Sequence, residues 1–215
     1  MEEPSFLERR IRELERFAAK AFGIHFLTME EVDGLVSNVV SQVVESGYKP
    51  ECVVGILNAG YYPGKKIAEA LNVEYIVTRI SRNDIYCMGV KMNDRLILNK
   101  IASSNKAYTL QVNNFFPRTG YNRFLIIDDD CVSGETLDRA EEEIRDKNDV
   151  EEVKKGVLMI GENCYEPDYI GERQLPINRF IKGSKRFPWV PFSPYCEEYH
   201  EIAEDMFWKS VEWEH

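Results

Sequence analysis

FLIIDDDCVSGETL, residues 124–137, runs from an apolar, β-forming segment through three adjacent carboxylates into a Ser-Gly-x-Thr turn. The run before Asp128 is too short for a helix and reads as a buried strand. SGETLDRAEEEIRDK, starting at Ser133, then reads as a helix that opens directly from the turn. A strand, a glycine-containing turn and a helix N-terminus in this order form an anion trap. Successive backbone N–H groups can point at one phosphate, the helix dipole adds partial positive charge, and Gly134 permits close approach. The carboxylates at the strand end suit sugar hydroxyls and a hard cation such as Mg²⁺.

Upstream, CVVGIL (Cys52–Leu57) is a second short apolar run, followed by NAGYYPG, a helical stretch with Ile67, Ala68 and Leu71, and the strand-like VEYIVTRIS from Val73 to Ser81. Strand, helix and strand within about thirty residues make a βαβ unit of a parallel sheet. Downstream, GVLMIG (Gly156–Gly161) supplies a fourth strand and completes a second such unit. Ligands of parallel sheets collect at the carboxyl ends of the strands, where both turns lie.

The chain before Cys52 reads as two helices. Leu7, Ile11, Leu14 and Ala18 line one face of the first. The second starts at a capping box, Thr28 with Glu31, buries Val32, Leu35, Val36, Val39, Val40 and Val43, and stops at Gly47. Asn83 to Asn122 alternates in patches such as AYTLQV (Ala107–Val112), and reads as an antiparallel excursion and the best lid candidate. Residues from Pro167 to Tyr195 are dense in Pro, Gly and aromatics, which suggests a compact hood, and a last helix carries Tyr195, Tyr199, Ile202 and Met206 on one face. The expected architecture is α/β, a Rossmann-like parallel sheet flanked by helices, with an added N-terminal helix and a small C-terminal hood. Residues 1–47 pack on a domain spanning 48–215, with the hood at about 162–194.

Composition narrows the function. With 215 residues and 44% hydrophobic content the chain can bury its own core. A net charge of −10 argues against non-specific nucleic-acid binding. Five widely spaced cysteines without a CxxC pair argue against a disulfide framework or structural zinc, hence for a reducing compartment. No apolar run approaches the roughly 20 residues needed to span a bilayer, so a cytoplasmic protein without membrane partners is expected.

The segment from Phe124 to Leu137 resembles the phosphoribosyl diphosphate signature of type I phosphoribosyltransferases, an apolar strand followed by two acids and Ser/Thr-Gly-x-Thr. The resemblance implies that Asp128 and Asp129 contact the ribose hydroxyls and share Mg²⁺, and that Cys131, Val132, Ser133, Gly134, Glu135 and Thr136 bind the 5-phosphate. VVGILNAGYYPGKKIAEAL is similar to the family's diphosphate loop, with Asn58, Ala59 and Gly60 at its tip and Arg79 or Arg82 as a source of positive charge. EPDYIGER and FIKGSKRFPW are similar to the hood end of microbial purine phosphoribosyltransferases. There Phe180 or Trp189 would stack on a nucleobase while Glu162 or Asn163 reads its edge. The implied partners are phosphoribosyl diphosphate and a nucleobase, with the purine class expected and the protein a homodimer.

Plainer readings exist beside these. Three adjacent Asp residues also suit a solvated strand end, Asn58–Gly60 an ordinary βα turn, and Phe180, Phe187 and Trp189 the core of the hood. Cys131 has no histidine nearby in sequence, so its backbone matters more than its sulfur. Val132 stands where many purine-specific members carry an acid that serves as general base, and Asn58 replaces a frequent Arg or Lys. Both leave open a binding-only sensor of phosphoribosyl diphosphate. Asp128-Asp129-Asp130-Cys131-Val132 also fits the Asp-x-Asp-x-Val pattern of haloacid-dehalogenase-like phosphatases, with Asp128 as nucleophile and Asp130 as acid/base.

Overall fold

The computed structural model describes Phe17, Ala21 and residues 23–78, 80, 86–87, 90–91, 118–161, 164–174, 185–190 and 193–211. The first expected helix, most of the 83–122 excursion, and Arg79, Arg82, Glu162, Asn163 and Phe180 lie outside these residues.

The elements in chain order are β1 (His25–Phe26), α1 (Met29–Ser46), β2 (Cys52–Ile56), α2 (Tyr61–Leu71), β3 (Glu74–Thr78), β4 (Tyr86–Cys87) and β5 (Val90–Lys91). They are followed by β6 (Arg123–Cys131), α3 (Glu135–Lys147), β7 (Glu152–Gly161), β8 (Tyr169–Gln174), β9 (Lys185–Arg186) and α4 (Cys196–Val211). Five strands form one parallel sheet in the order β3-β2-β6-β7-β8. The order reverses between β2 and β6, which lie side by side with Gly55 opposite Ile127. The crevice for a ligand opens at such a reversal, beyond the strand ends.

Alternation along the strands divides the core in two. Val53, Leu125, Ile127 and Leu158 face α1, α2 and α4, and join Val32, Val39, Val43, Ile67, Tyr199 and Ala203. Cys52, Val54, Ile56, Phe124, Ile126 and Val157 face the other way, onto Leu137, Ala140 and Ile144 of α3. Both faces are covered, which is why the strands read as continuous apolar runs rather than alternating ones. α1 forms as its sequence dictates. Thr28 accepts from the Glu31 amide while the Glu31 side chain accepts from the Thr28 amide, and Gly47 closes the helix at φ 74°. Truncating one of its fully buried valines, such as Val39, would cost about 2 kcal/mol or more.

Two elements differ from the expectation. Tyr169–Gln174, read above as part of the hood, is the fifth strand of the main sheet, paired in parallel with β7 from Gly156↔Tyr169 to Gly161↔Gln174. As an edge strand it is only half-buried, so it lacks the apolar run that reveals the inner strands. β7 also begins four residues before Gly156, because Glu152 to Lys155 pair with Arg123 to Ile126 despite their charge. The antiparallel pairing expected after Asn83 is present where β4 meets β5. A second small pairing joins the segment before α1 to the hood, since β1 runs parallel to β9 and the Leu27 amide donates to the Arg186 carbonyl at 2.8 Å. Among the described residues no helix is long and apolar enough to cross a membrane.

Candidate functional site

β6 delivers the carboxylates and the turn together. Its continuous buried run ends at Ile127; Asp128 and Asp129 are half-buried, and Asp130 is exposed. Asp128 Oδ1 accepts from the Asp129 amide at 3.0 Å and Asp129 Oδ1 from the Asp130 amide at 2.7 Å, so the acids are oriented by the backbone that follows them. Asp129 Oδ2 accepts from the Trp189 indole N–H at 2.8 Å. Burial, and then the neighbouring charge of Asp130, push the Asp129 carboxyl well above the usual range, while the Trp189 N–H opposes that rise.

The turn that follows takes its shape from Gly134, which sits at φ 82° as the N-cap of α3 and has no side chain with which to cap the helix. The carbonyl of Gly134 accepts from the Asp138 amide at 2.9 Å, and Ser133 Oγ lies 3.4 Å from the Glu135 amide. Val132, Ser133 and Glu135 are exposed, whereas Cys131 is buried with its thiol pushed up to about 11, chiefly by burial. That leaves Cys131 protonated at neutral pH, consistent with a backbone role.

Asn58, Ala59 and Gly60 lie at the carboxyl end of β2, beside β6. Gly60 is wedged between strands: a Cβ there would meet the Ile127 carbonyl oxygen at 2.5 Å and the Ile56 carbonyl oxygen at 2.7 Å. Asn58 is exposed at the tip, and the Leu57–Asn58 peptide is cis. The helix beyond is anchored by Tyr62, whose hydroxyl donates to Asp33 at 2.7 Å, and by Tyr75, whose hydroxyl donates to the Tyr61 carbonyl at 2.7 Å. The two turns predicted from sequence thus flank the reversal of strand order.

Tyr165 and Lys155, absent from the sequence reading, and Tyr199, read there only as one residue of a helix face, pack around these turns. Tyr165 donates its amide to the Val132 carbonyl at 2.9 Å and lays its ring over Gly134. Lys155 extends from β7 to Asp138 and Glu141 of α3, each at 2.7 Å, and its ammonium lies 5.7 Å from the centre of the Tyr165 ring. Burial alone would lower the Lys155 pKa, but Asp138, Glu141 and Tyr165 more than reverse this and hold it raised. Tyr199 tilts against Trp189 at 5.1 Å. Trp189, expected at the nucleobase, is stacked on Phe187 with ring centres 4.5 Å apart and planes 7° apart.

The phosphoribosyl transferase domain family matches residues 25–191, which include both turns, the acidic residues and Trp189. The chain belongs to this family. As a phosphoribosyl transferase domain it contains Asp128–Asp130 within the family's span, and the aspartyl phosphatase reading of that triplet falls. Solved structures share the fold. A purine phosphoribosyltransferase from Pyrococcus horikoshii Ot3 superposes with a TM-score of 0.54 at 19% identity, covering 78% of this chain and 94% of that one. The Helicobacter pylori xanthine-guanine-hypoxanthine phosphoribosyltransferase gives 0.55 at 13% identity, covering 83% and 99%. A hypothetical protein from Neisseria gonorrhoeae with bound ppGpp gives 0.52 at 14%, covering 85% and 96%. No curated protein sequence matches the chain significantly.

Proposed function

We propose that the protein transfers ribose 5-phosphate from phosphoribosyl diphosphate to a purine-class nucleobase, releasing diphosphate. The observation that carries this reading is the position of the acidic pair and the Gly134 turn at the end of β6, beside the Gly60 turn at the end of β2. In this reading the backbone from Cys131 to Thr136 holds the 5-phosphate at the N-terminus of α3, and Asp128 and Asp129 take the ribose hydroxyls. Asn58, Ala59 and Gly60, helped by Arg79, hold the diphosphate.

The donor set at the end of β6 fits Mg²⁺. Among the described residues no cluster of three or more His, Cys, Asp or Glu gathers to cage a metal ion, and Mg²⁺ is ordinarily held by one or two carboxylates with substrate phosphates and water. Asp128 and Asp129 would be those carboxylates. When bound, the ion would neutralise charge on the departing diphosphate. At the acceptor end, Glu162 and Asn163 follow the last residue of β7 and read the base edge. Phe180 is the stacking candidate, because Trp189 already carries Phe187 on its ring. The protein would act in the cytoplasm as a homodimer.

A binding-only role as a phosphoribosyl diphosphate sensor is the second reading, favoured by Val132. Its side chain is exposed at the turn, where a general base would stand, and it cannot move a proton. The ppGpp-bound neighbour lends that reading a chemical parallel. Incubating the protein with phosphoribosyl diphosphate, Mg²⁺ and a panel of nucleobases, with diphosphate release as the readout, separates the two. Release with at least one purine is the expected result. Tight binding with no release from any base would establish the sensor.

A further inference from the structure

We infer that Trp189 is a positioning residue for Asp129, and that its aromatic stack ties the ribose-binding acid to the helix that starts at the diphosphate turn. This rests on the proposed assignment of Asp129 to the ribose hydroxyls. The two oxygens of Asp129 are separately engaged, Oδ1 by the Asp130 amide at 2.7 Å and Oδ2 by the Trp189 indole at 2.8 Å. Donors on both oxygens fix the carboxylate plane. The two carboxyl oxygens together offer about four lone-pair sites, so capacity for a sugar hydroxyl remains.

Trp189 is itself immobilised. Phe187 stacks on it, Tyr199 tilts against it, and Tyr199 meets Tyr62 edge-on at 6.2 Å. Tyr62 belongs to the first turn of α2, immediately after Gly60, and its hydroxyl is held by Asp33 of α1. One continuous set of contacts therefore runs from Asp129 through Trp189, Tyr199 and Tyr62 to the start of α2. Filling the hood would need only an apolar ring. A half-buried indole also has an N–H to satisfy, and here the acceptor is a carboxyl oxygen of the candidate site.

The test compares Trp189→Phe, which keeps a ring and loses the N–H, with the wild-type chain in calorimetric titrations of ribose 5-phosphate and of inorganic phosphate. Ribose 5-phosphate should bind about tenfold more weakly to the variant, as for loss of a hydrogen bond that orients a charged group, while inorganic phosphate binds within about twofold of wild type. In an Asp129→Ala background the same substitution should change ribose 5-phosphate affinity by less than about twofold. Trp189→His, which packs less well but keeps a ring N–H, should retain more ribose 5-phosphate affinity than Trp189→Phe, and this ordering can be read even if the Phe variant is less stable. Equal ribose 5-phosphate affinity in wild type and Trp189→Phe overturns the inference while leaving the proposed function standing. Equal weakening of both ligands, or a His variant worse than Phe, also overturns it, because the role is then packing alone. A wild-type chain that binds phosphate but not ribose 5-phosphate removes the functional reading and this inference together.

Discussion

The ring of Tyr165 occupies the space that a Cβ on Gly134 would need, with Cγ and Cδ2 each 2.5 Å from that position. Gly134 is also left-handed, at φ 82°. Gly134→Ala should therefore strain the backbone and displace Tyr165, lowering stability by about 1–3 kcal/mol. Anion affinity should fall by more than the stability change implies, because the turn itself moves. Urea denaturation paired with phosphate titration checks both.

Tyr165 is held in turn by the Lys155 cluster, which sets a second expectation. Lys155→Met should destabilise the fold by about 1–3 kcal/mol at neutral pH, less than a fully buried pair because the Asp138 side chain is half exposed. The sign of the pH dependence follows from the two partners. The Lys155 pKa is raised, so its contribution is complete below the ordinary lysine value of about 10.4 and is lost only as pH climbs through the higher folded value. Burial would raise Glu141, but Lys155 and Arg145 outweigh it and hold the carboxyl low. Its contribution is present above about 4.3 and is lost as pH falls through the lowered folded value. The difference between wild type and variant should stay flat from about pH 6 to 9 and shrink in acid, which urea midpoints at several pH values would show.

An anion at high concentration should settle over the Cys131–Thr136 backbone at the start of α3. A crystal soaked in sulfate is the check. Sulfate elsewhere and none at this turn would count against the phosphate site.

Recognition of the base gives a further expectation. Phe180→Ala should weaken all purines alike, whereas Glu162→Lys should shift preference toward a 6-oxo base by about 1–3 kcal/mol, the cost of an unpaired buried polar group. Competition among adenine, guanine and hypoxanthine would display the pattern.

The parts of this fold written in local sequence were the parts that could be read. Thr28 and Glu31 announce their helix because a capping box is a contact between residues three apart, and both its hydrogen bonds form. Phe124 to Ile127 announce a central strand because both faces of it are buried. Tyr169–Gln174 carries no such mark, since an edge strand of a parallel sheet needs less apolar surface. Lys155 looks like surface in the sequence and becomes interior only because Asp138 and Glu141 of α3 come to it. The bond from Trp189 to Asp129 joins residues 60 apart, so no local pattern could have foretold it.

The most direct test is calorimetric titration of phosphoribosyl diphosphate with Mg²⁺ into the wild-type chain and into Asp128→Asn with Asp129→Asn. The wild-type chain should bind, and the double variant, still folded by circular dichroism, should bind at least about tenfold more weakly after losing two charge-assisted contacts. Equal affinity in the two proteins, or no binding by the wild type, would contradict the assignment of phosphoribosyl diphosphate to the end of β6.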